Sequence, residues 1–131
     1  MKKILTIVSC VMVLFTISSC TKQYVTPNNT ESIYATIAPS DWTLYSDHQS
    51  YNTSIQVDDI DNNIANTGAV IVAISYSDGV YEQLPEVYNG TSFSYVYNNG
   101  FVQIFAQSSD GTTPIAPTQP IKVKITLIST N

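Results

Sequence analysis

Residues 92–107 read SFSYVYNNGFVQIFAQ, and this stretch has the pattern of a β-hairpin. Apolar and polar side chains alternate before and after the central turn, as they do in strands that bury one face. Asn98–Gly100 supplies residues that tolerate positive φ in a tight turn. One face of each predicted strand carries these side chains: Phe93, Tyr95, Tyr97, Val102, Ile104 and Ala106.

Strand patterns continue on both sides of this hairpin. Val70–Ile74 is an uninterrupted apolar run, typical of a central strand, and Ser77–Gly79 predicts a hairpin turn after it. Ile121–Ile128 alternates with Lys122 and Lys124 facing water, and because lysines protect exposed strand edges we expect an edge strand there. Shorter strand patterns cover residues 33–37, 42–45, 51–57 and 81–84.

Asp58–Gly68 differs from these strands. Ile60 and Ile64 are four residues apart, acids lie at the start of the segment, and Gly68 can end a helix. This pattern predicts one short helical turn near residues 59–66. With about seven or eight short strands in the rest of the domain, the sequence predicts an all-β fold, an antiparallel two-sheet β-sandwich of immunoglobulin-like type.

The N-terminus has the pattern of a bacterial lipoprotein signal. Two lysines precede an uncharged apolar stretch over residues 4–17, which is too short for an ordinary membrane-spanning helix. Ile17–Cys20 then matches a lipobox: an aliphatic residue, two small residues and a cysteine. We expect a signal peptide over residues 1–19 and a diacylglycerol and palmitate anchor on Cys20, which holds the protein to a membrane without spanning it.

The remaining chain divides into two parts. Residues 20–31 are polar and aperiodic, which predicts a flexible tether, and residues 32–131 form the predicted sandwich domain. From residue 21 onward three lysines face ten acids, a net charge of −7. This charge argues against nucleic-acid binding and against adsorption to anionic lipid. Because no acid follows Cys20 directly, we expect the periplasmic side of the outer membrane rather than the cell surface.

Acidic residues are densest at Asp58, Asp59 and Asp61, a candidate calcium site. The spacing begins like an EF-hand loop, but Ile64 stands where such a loop needs glycine. An EF-hand is therefore rejected. A looser calcium site and simple helix capping are the two alternatives for this segment.

No pattern in the chain points to catalysis. His48 is the only histidine, and no Gly-x-Ser-x-Gly motif accompanies it. Nothing in their spacing selects a catalytic pair among the acids near predicted turns, which are Asp78, Glu82, Glu86 and Asp110. We therefore expect a non-enzymatic protein without a cofactor. A small envelope hydrolase that uses His48 or two carboxylates is the alternative.

Tyrosine is abundant, with nine residues in the chain. Exposed aromatic rings on a sandwich face stack on sugar rings or anchor protein partners. The alternative is ordinary cross-strand packing, in which the ring is buried and the hydroxyl reaches water. The candidate binding residues are Trp42, Tyr81, Tyr88 and Tyr97.

Residues 40–128 carry a series of motifs at the ends of predicted strands. They are Ser40-Asp41-Trp42, Ile55-x-Val57-x-x-Ile60, Asn66-x-Gly68-Ala69-Val70-x-Val72, Leu84-Pro85, Tyr95-x-Tyr97-x-x-Gly100, Asp110-Gly111-Thr112-x-Pro114 and Ile121-x-Val123-x-Ile125. This series resembles small Bacteroidetes lipoproteins with a C-terminal all-β domain, often preceded by a collagen-like spacer that this chain lacks. The resemblance implies a lipid-anchored all-β domain and transfers no catalytic residue.

Taken together, these patterns predict a lipid-anchored, non-enzymatic module of the cell envelope. Its expected partners are the membrane, through the lipid on Cys20, and a glycan or an envelope protein; a purely structural role is also open. Besides the hydrolase, an adhesin or assembly subunit that uses a free sheet edge is an alternative.

Overall fold

The domain consists of two antiparallel β-sheets. The computed structural model describes residues 29–130, so the predictions of a signal peptide and of Cys20 lipidation lie outside the described residues. The strands are β1 (Thr30–Ile37), β2 (Thr43–Leu44), β3 (Ser50–Gln56), β4 (Ala69–Ser77), β5 (Val80–Gln83), β6 (Glu86–Tyr88), β7 (Thr91–Asn98), β8 (Phe101–Ser108) and β9 (Ile121–Ile128). β1 begins two residues before the domain start predicted at Ser32.

The strand order is β1-β9-β4-β5 in one sheet and β2-β3-β8-β7-β6 in the other. All neighbouring pairs are antiparallel, which confirms the two-sheet sandwich. The first and last strands pair along their whole length. In the immunoglobulin constant fold those two strands lie in different sheets, so this sandwich has the architecture of that class with a different strand order.

The hairpin over residues 92–107 forms as predicted. β7 and β8 pair from Thr91–Ser108 to Asn98–Phe101, with Asn99 and Gly100 as the loop. Gly100 has a φ of 84°, which a residue with a Cβ rarely adopts. The Gly100 carbonyl accepts a hydrogen bond from the Val57 amide (2.8 Å), and the Gly100 amide donates to the Ile60 carbonyl (2.8 Å). The turn is therefore tied to the segment that leads from β3 into the helix.

The core lies between the sheets and follows the predicted alternation. β9 contributes four inward side chains that are at most 1% exposed: Ile121, Val123, Ile125 and Leu127. β8 faces them with Val102, Ile104 and Ala106, and β4 adds Val70, Val72 and Ile74. Tyr95 links the sheets, because its hydroxyl donates to the Val70 carbonyl at 2.7 Å. Residues 29–130 contain no cysteine, so no disulfide can stabilise the domain. This continuous apolar layer is therefore its main source of stability.

The prediction that Ile121–Ile128 is an edge strand is wrong. β9 pairs with β1 on one side and with β4 on the other, so it is interior to its sheet. The side chains of this strand alternate as predicted, but alternation indicates only that one face of the strand is exposed to water. Outward lysines fit an interior strand of a sheet with one solvated face as well as they fit an edge. The free edges belong to β1, β5, β2 and β6.

The predicted helical turn is present as α1 (Asn62–Thr67). The Asp61 carboxylate caps it by accepting a hydrogen bond from the Ile64 amide at 2.8 Å. Gly68 ends the helix with a φ of −88°, outside the left-handed region. Glycine is required there for space, because a Cβ would collide with the Ile128 carbonyl oxygen. Within residues 29–130 no helix has the length and apolar character to cross a membrane.

Candidate functional site

A stacked pair of tyrosines marks one end of the sandwich. The rings of Tyr76 and Tyr88 lie 4.1 Å apart, centroid to centroid, with 12° between their planes. Tyr76 continues the inward series of β4 to the end of the strand and also contacts Phe93 at 6.1 Å between ring centroids. Tyr88 ends the edge strand β6 and is 37% exposed. The stack therefore joins the core to the surface and connects one sheet with the other.

Local turn chemistry fixes the position of Tyr88. Asn89 and Gly90 have φ values of 47° and 79°, and they form the two-residue loop between Tyr88 and Thr91. Positive φ at both loop residues is the geometry that Asn-Gly favours between paired strands. The Gly90 carbonyl also accepts a hydrogen bond from the Ser109 amide at 2.9 Å, which holds this turn against the end of β8.

A groove of about 390 Å³ lies beside the tyrosine stack. One wall is the stack itself, and the other is the proline-rich loop over residues 115–119. Pro114 is buried at the base of that loop, and Ile115 at its crest is 77% exposed. The groove residues are Tyr76, Tyr88, Asn89, Thr91, Phe93, Ile115, Ala116, Pro117, Thr118 and Gln119, and among these described side chains none is charged.

Two carboxyl groups lie next to the stack. Glu86 pairs with the buried Phe93 in the β6–β7 register, so its side chain points inward from an edge strand. Burial first, and then the neighbouring Glu82 carboxyl, together raise the pKa of Glu86 from 4.5 to about 7. Glu86 Oε1 is buried and has no hydrogen-bond partner among the described residues. Glu86 therefore keeps its proton up to about neutral pH.

The same environment acts on the phenol of Tyr76. Burial raises the pKa of Tyr76 far above its ordinary value, and the nearby Tyr88 and Glu86 raise it further. Tyr76 is consequently a neutral hydrogen-bonding group throughout the physiological range. The stack presents an amphipathic aromatic surface rather than an ionised one.

The structure separates the four aromatic residues that the sequence proposed for binding. Tyr88 lines the groove, but Trp42 is only 7% exposed and packs against Phe93 at 6.3 Å between ring centroids. Trp42 follows the 3-10 turn that carries the chain from one sheet to the other, so its ring fills the space between them. A core position of this kind removes Trp42 from the surface.

The two other aromatic candidates also lie away from the groove. Tyr97 is on the inward face of β7, where it packs against the core and lies beside Tyr95 at 6.4 Å. Tyr81 is on the outer face of the β1-β9-β4-β5 sheet, next to Tyr34. The rings therefore do not form one common face. The sequence did not select Tyr76 from among the tyrosines, nor the loop over 115–119, because only the tertiary fold brings these distant segments together.

The acidic turn is occupied by local hydrogen bonds. Asp61 caps α1, and the Asp58 carboxylate accepts from the Gln56 side-chain amide at 2.8 Å. Asp59 is exposed beside them. In the part of the chain that the structure describes, no three His, Cys, Asp or Glu side chains lie close enough to hold a metal ion. Helix capping by Asp61 and the Asp58–Gln56 pair account for the contacts seen at this segment.

His48 is on an exposed loop and has a positive φ of 58°. Its neighbour Asp47 accepts hydrogen bonds from the Gln49 amide (2.8 Å) and the Ser50 amide (3.2 Å), which stabilise the loop. The imidazole Nδ1 is 3.4 Å from the Tyr45 carbonyl oxygen. His48 also borders a polar groove of about 370 Å³ with residues 111–114. That groove contains no aromatic wall and no carboxylate.

No family model matches the chain, and no curated protein or solved structure is significantly similar to it. The resemblance to Bacteroidetes lipoproteins stays a prediction.

Proposed function

We propose that this chain is a lipid-anchored, non-enzymatic β-sandwich module of the bacterial cell envelope that binds a glycan in the groove beside Tyr88. The observation that carries the proposal is the Tyr76–Tyr88 stack against an uncharged groove of about 390 Å³. Binding sites for small ligands combine apolar walls with a few polar groups that fix orientation. Here the rings and Pro117 offer apolar surface, while Asn89 and Gln119 offer amide donors and acceptors.

The chemistry of the groove suits a neutral sugar better than a charged ligand. A pyranose ring has an apolar face of C–H groups, which can lie on the exposed side of Tyr88, and its hydroxyls can pair with the groove amides. The carboxyl group of Glu82, which borders the same surface as Tyr88, would repel an anion. An envelope protein that inserts an extended segment into the groove is a further outcome that the binding test would reveal.

The lipobox at residues 17–20 supports the anchoring part of the proposal. Residues 21–29 separate Cys20 from β1, and nine residues span at most about 30 Å when fully extended. A lipid on Cys20 would therefore hold the Thr30 end of the domain close to the bilayer, with the groove at the opposite end of β4. The absence of acids directly after Cys20 favours the periplasmic side of the outer membrane.

A glycan array followed by calorimetry on residues 21–131 tests the binding part. We expect saturable binding of a neutral glycan that Tyr88→Ala weakens by about two- to tenfold, the value of one aromatic contact. Tyr45→Ala is the matched control, because Tyr45 is 38% exposed and packs on Phe105, away from the groove. Equal losses in both variants, or no binding to any glycan, would count against the proposal.

A carboxylate-dependent hydrolase is the second candidate, and the Glu82–Glu86 pair favours it. A carboxyl group with a pKa near 7 can act as a general acid, and a neighbouring carboxylate can act as base or nucleophile. The test is to incubate the bound glycan with the protein and measure new reducing ends. Release that Glu86→Gln and Glu82→Gln both abolish would establish the hydrolase, whereas an intact glycan supports the binding module.

A further inference from the structure

The outer face of the β1-β9-β4-β5 sheet concentrates the positive charge of the domain. Lys122 and Lys124 are the two lysines in residues 29–130, where ten acids are also present. Both lysines point outward from β9, because their neighbours at 121, 123 and 125 fill the core. Among the described residues this face is therefore the one that offers positive charge to an approaching anion.

The strand register sets two tyrosines around these lysines. Tyr34 lies directly opposite Lys124 across the β1–β9 pair and is 64% exposed. Tyr81 on β5 meets Tyr34 edge to face, with ring centroids 6.3 Å apart. Lys124 Nζ lies 6.0 Å from the centre of the Tyr81 ring, within reach of a cation–π contact. We call the surface formed by Tyr34, Tyr81, Lys122 and Lys124 the lysine–tyrosine face.

A shallow cleft lies in the middle of the lysine–tyrosine face. It has a volume of about 220 Å³ and is lined by Tyr34, Ala35, Thr36, Tyr81 and Lys122. Thr36 is directly opposite Lys122 in the register, so a hydroxyl group and an ammonium group border the same space. The cleft thus combines an aromatic wall, a hydrogen-bonding group and a cation.

In the structure, the positive charge that borders this cleft is paired with Asp78. Its carboxylate pairs with Lys122, and the two side chains are 90% and 53% exposed. The pairing lowers the pKa of Asp78 and raises the pKa of Lys122. Exposed ion pairs contribute little to stability and exchange readily with other ions. Asp78 is on the β4–β5 turn, so its carboxylate can leave Lys122 without disturbing the sheet.

We propose that the lysine–tyrosine face binds an acidic saccharide, whose ring stacks on Tyr34 and whose carboxylate replaces that of Asp78 at Lys122. Lys124 adds a second positive charge and holds Tyr81 at the side of the ring. Because the face has an aromatic wall, it favours a sugar ring over a simple inorganic anion. Because it has two lysines, it favours an acidic saccharide over the neutral glycan proposed for the groove. The proposal stands on different residues from the groove and does not depend on it.

The test is calorimetry of residues 21–131 with trigalacturonic acid and with its fully methylated ester, at physiological ionic strength. At that salt concentration the Debye length is about 8 Å, so acids on remote faces are screened. We expect the acid to bind in one-to-one stoichiometry and the neutral ester to bind at least about fivefold more weakly. Lys122→Met and Lys124→Met should each weaken binding by about two- to fivefold, and Tyr34→Ala by about two- to tenfold.

Asp78→Asn is the most specific variant, because it removes the internal competitor for Lys122. It should strengthen binding of trigalacturonic acid by about twofold or more, whereas Tyr88→Ala should leave it unchanged. Thermal melts establish that each variant is folded. Equal binding of the ester, equal binding of polyglutamate, or weaker binding by Asp78→Asn would each overturn the proposal.

Discussion

The Glu86 carboxyl group faces inward from the short edge strand β6, where its charge is unfavourable. Its pKa is raised from 4.5 to about 7, first by burial and then by the neighbouring Glu82. A group whose pKa is higher in the folded state binds its proton more tightly there than in the unfolded chain. Its contribution therefore favours folding at low pH and is lost as the pH rises from about 4.5 through 7.

This linkage predicts the stability of one variant. The wild-type melting temperature should fall between pH 5 and pH 8, and Glu86→Gln should flatten that fall because the amide does not ionise. Asp78 and Asp110 have lowered pKa values and change protonation below this window. Glu31→Gln, on the exposed start of β1, is the matched control. Thermal melts across that pH range test the prediction. If the melting temperature of Glu86→Gln falls with pH as steeply as that of the wild type, the raised pKa of Glu86 is contradicted.

At the scale of elements, β9 determines how the two sheets meet. It is paired on both sides, and its inward residues form the centre of the core. Replacing the fully buried Ile125 by alanine removes apolar contacts and leaves a cavity, which costs about 3 kcal/mol of unfolding free energy. Thr126→Ala on the outward face should cost less than about 0.5 kcal/mol. Urea denaturation measures both, and similar costs would contradict the assignment of faces.

The sequence predicted which face of a strand is buried much better than it predicted which strands pair with each other. Alternation in β7, β8 and β9 assigned the buried side chains correctly, because a strand's period of two is a local property. The same pattern could not place β9 inside its sheet, since pairing partners depend on distant segments. The groove was hidden for the same reason: Tyr76, Tyr88 and the loop over 115–119 meet only after both sheets have packed.

The sequence also did not predict which individual aromatic residues are buried. Trp42 follows a polar turn and Tyr88 precedes one, and the two look alike as candidates for binding. The structure places Trp42 between the sheets and Tyr88 at the rim. The difference arises because the 3-10 turn before Trp42 carries the chain across the sandwich, whereas the Asn89–Gly90 turn after Tyr88 stays at its edge.

At the scale of the whole molecule, the proposal combines an anchor with a compact binding domain. Cys20→Ala should abolish incorporation of radiolabelled palmitate and release the protein from the membrane fraction of cells. Cys10→Ala changes the other cysteine of the chain and is the matched control for the thiol. Persistent labelling of Cys20→Ala would contradict the predicted lipobox. The outcome has no bearing on the groove, which is formed entirely by residues 76–119.

The central claim is that the groove beside the tyrosine stack is the binding site. The most direct measurement is a ¹H–¹⁵N NMR titration of residues 21–131 with the best neutral glycan from the array. The account predicts saturable shifts at Tyr76, Tyr88–Thr91 and the amides of residues 115, 116, 118 and 119, and their loss in Tyr88→Ala. Shifts confined to other surfaces, or the same shifts in Tyr88→Ala, would contradict it.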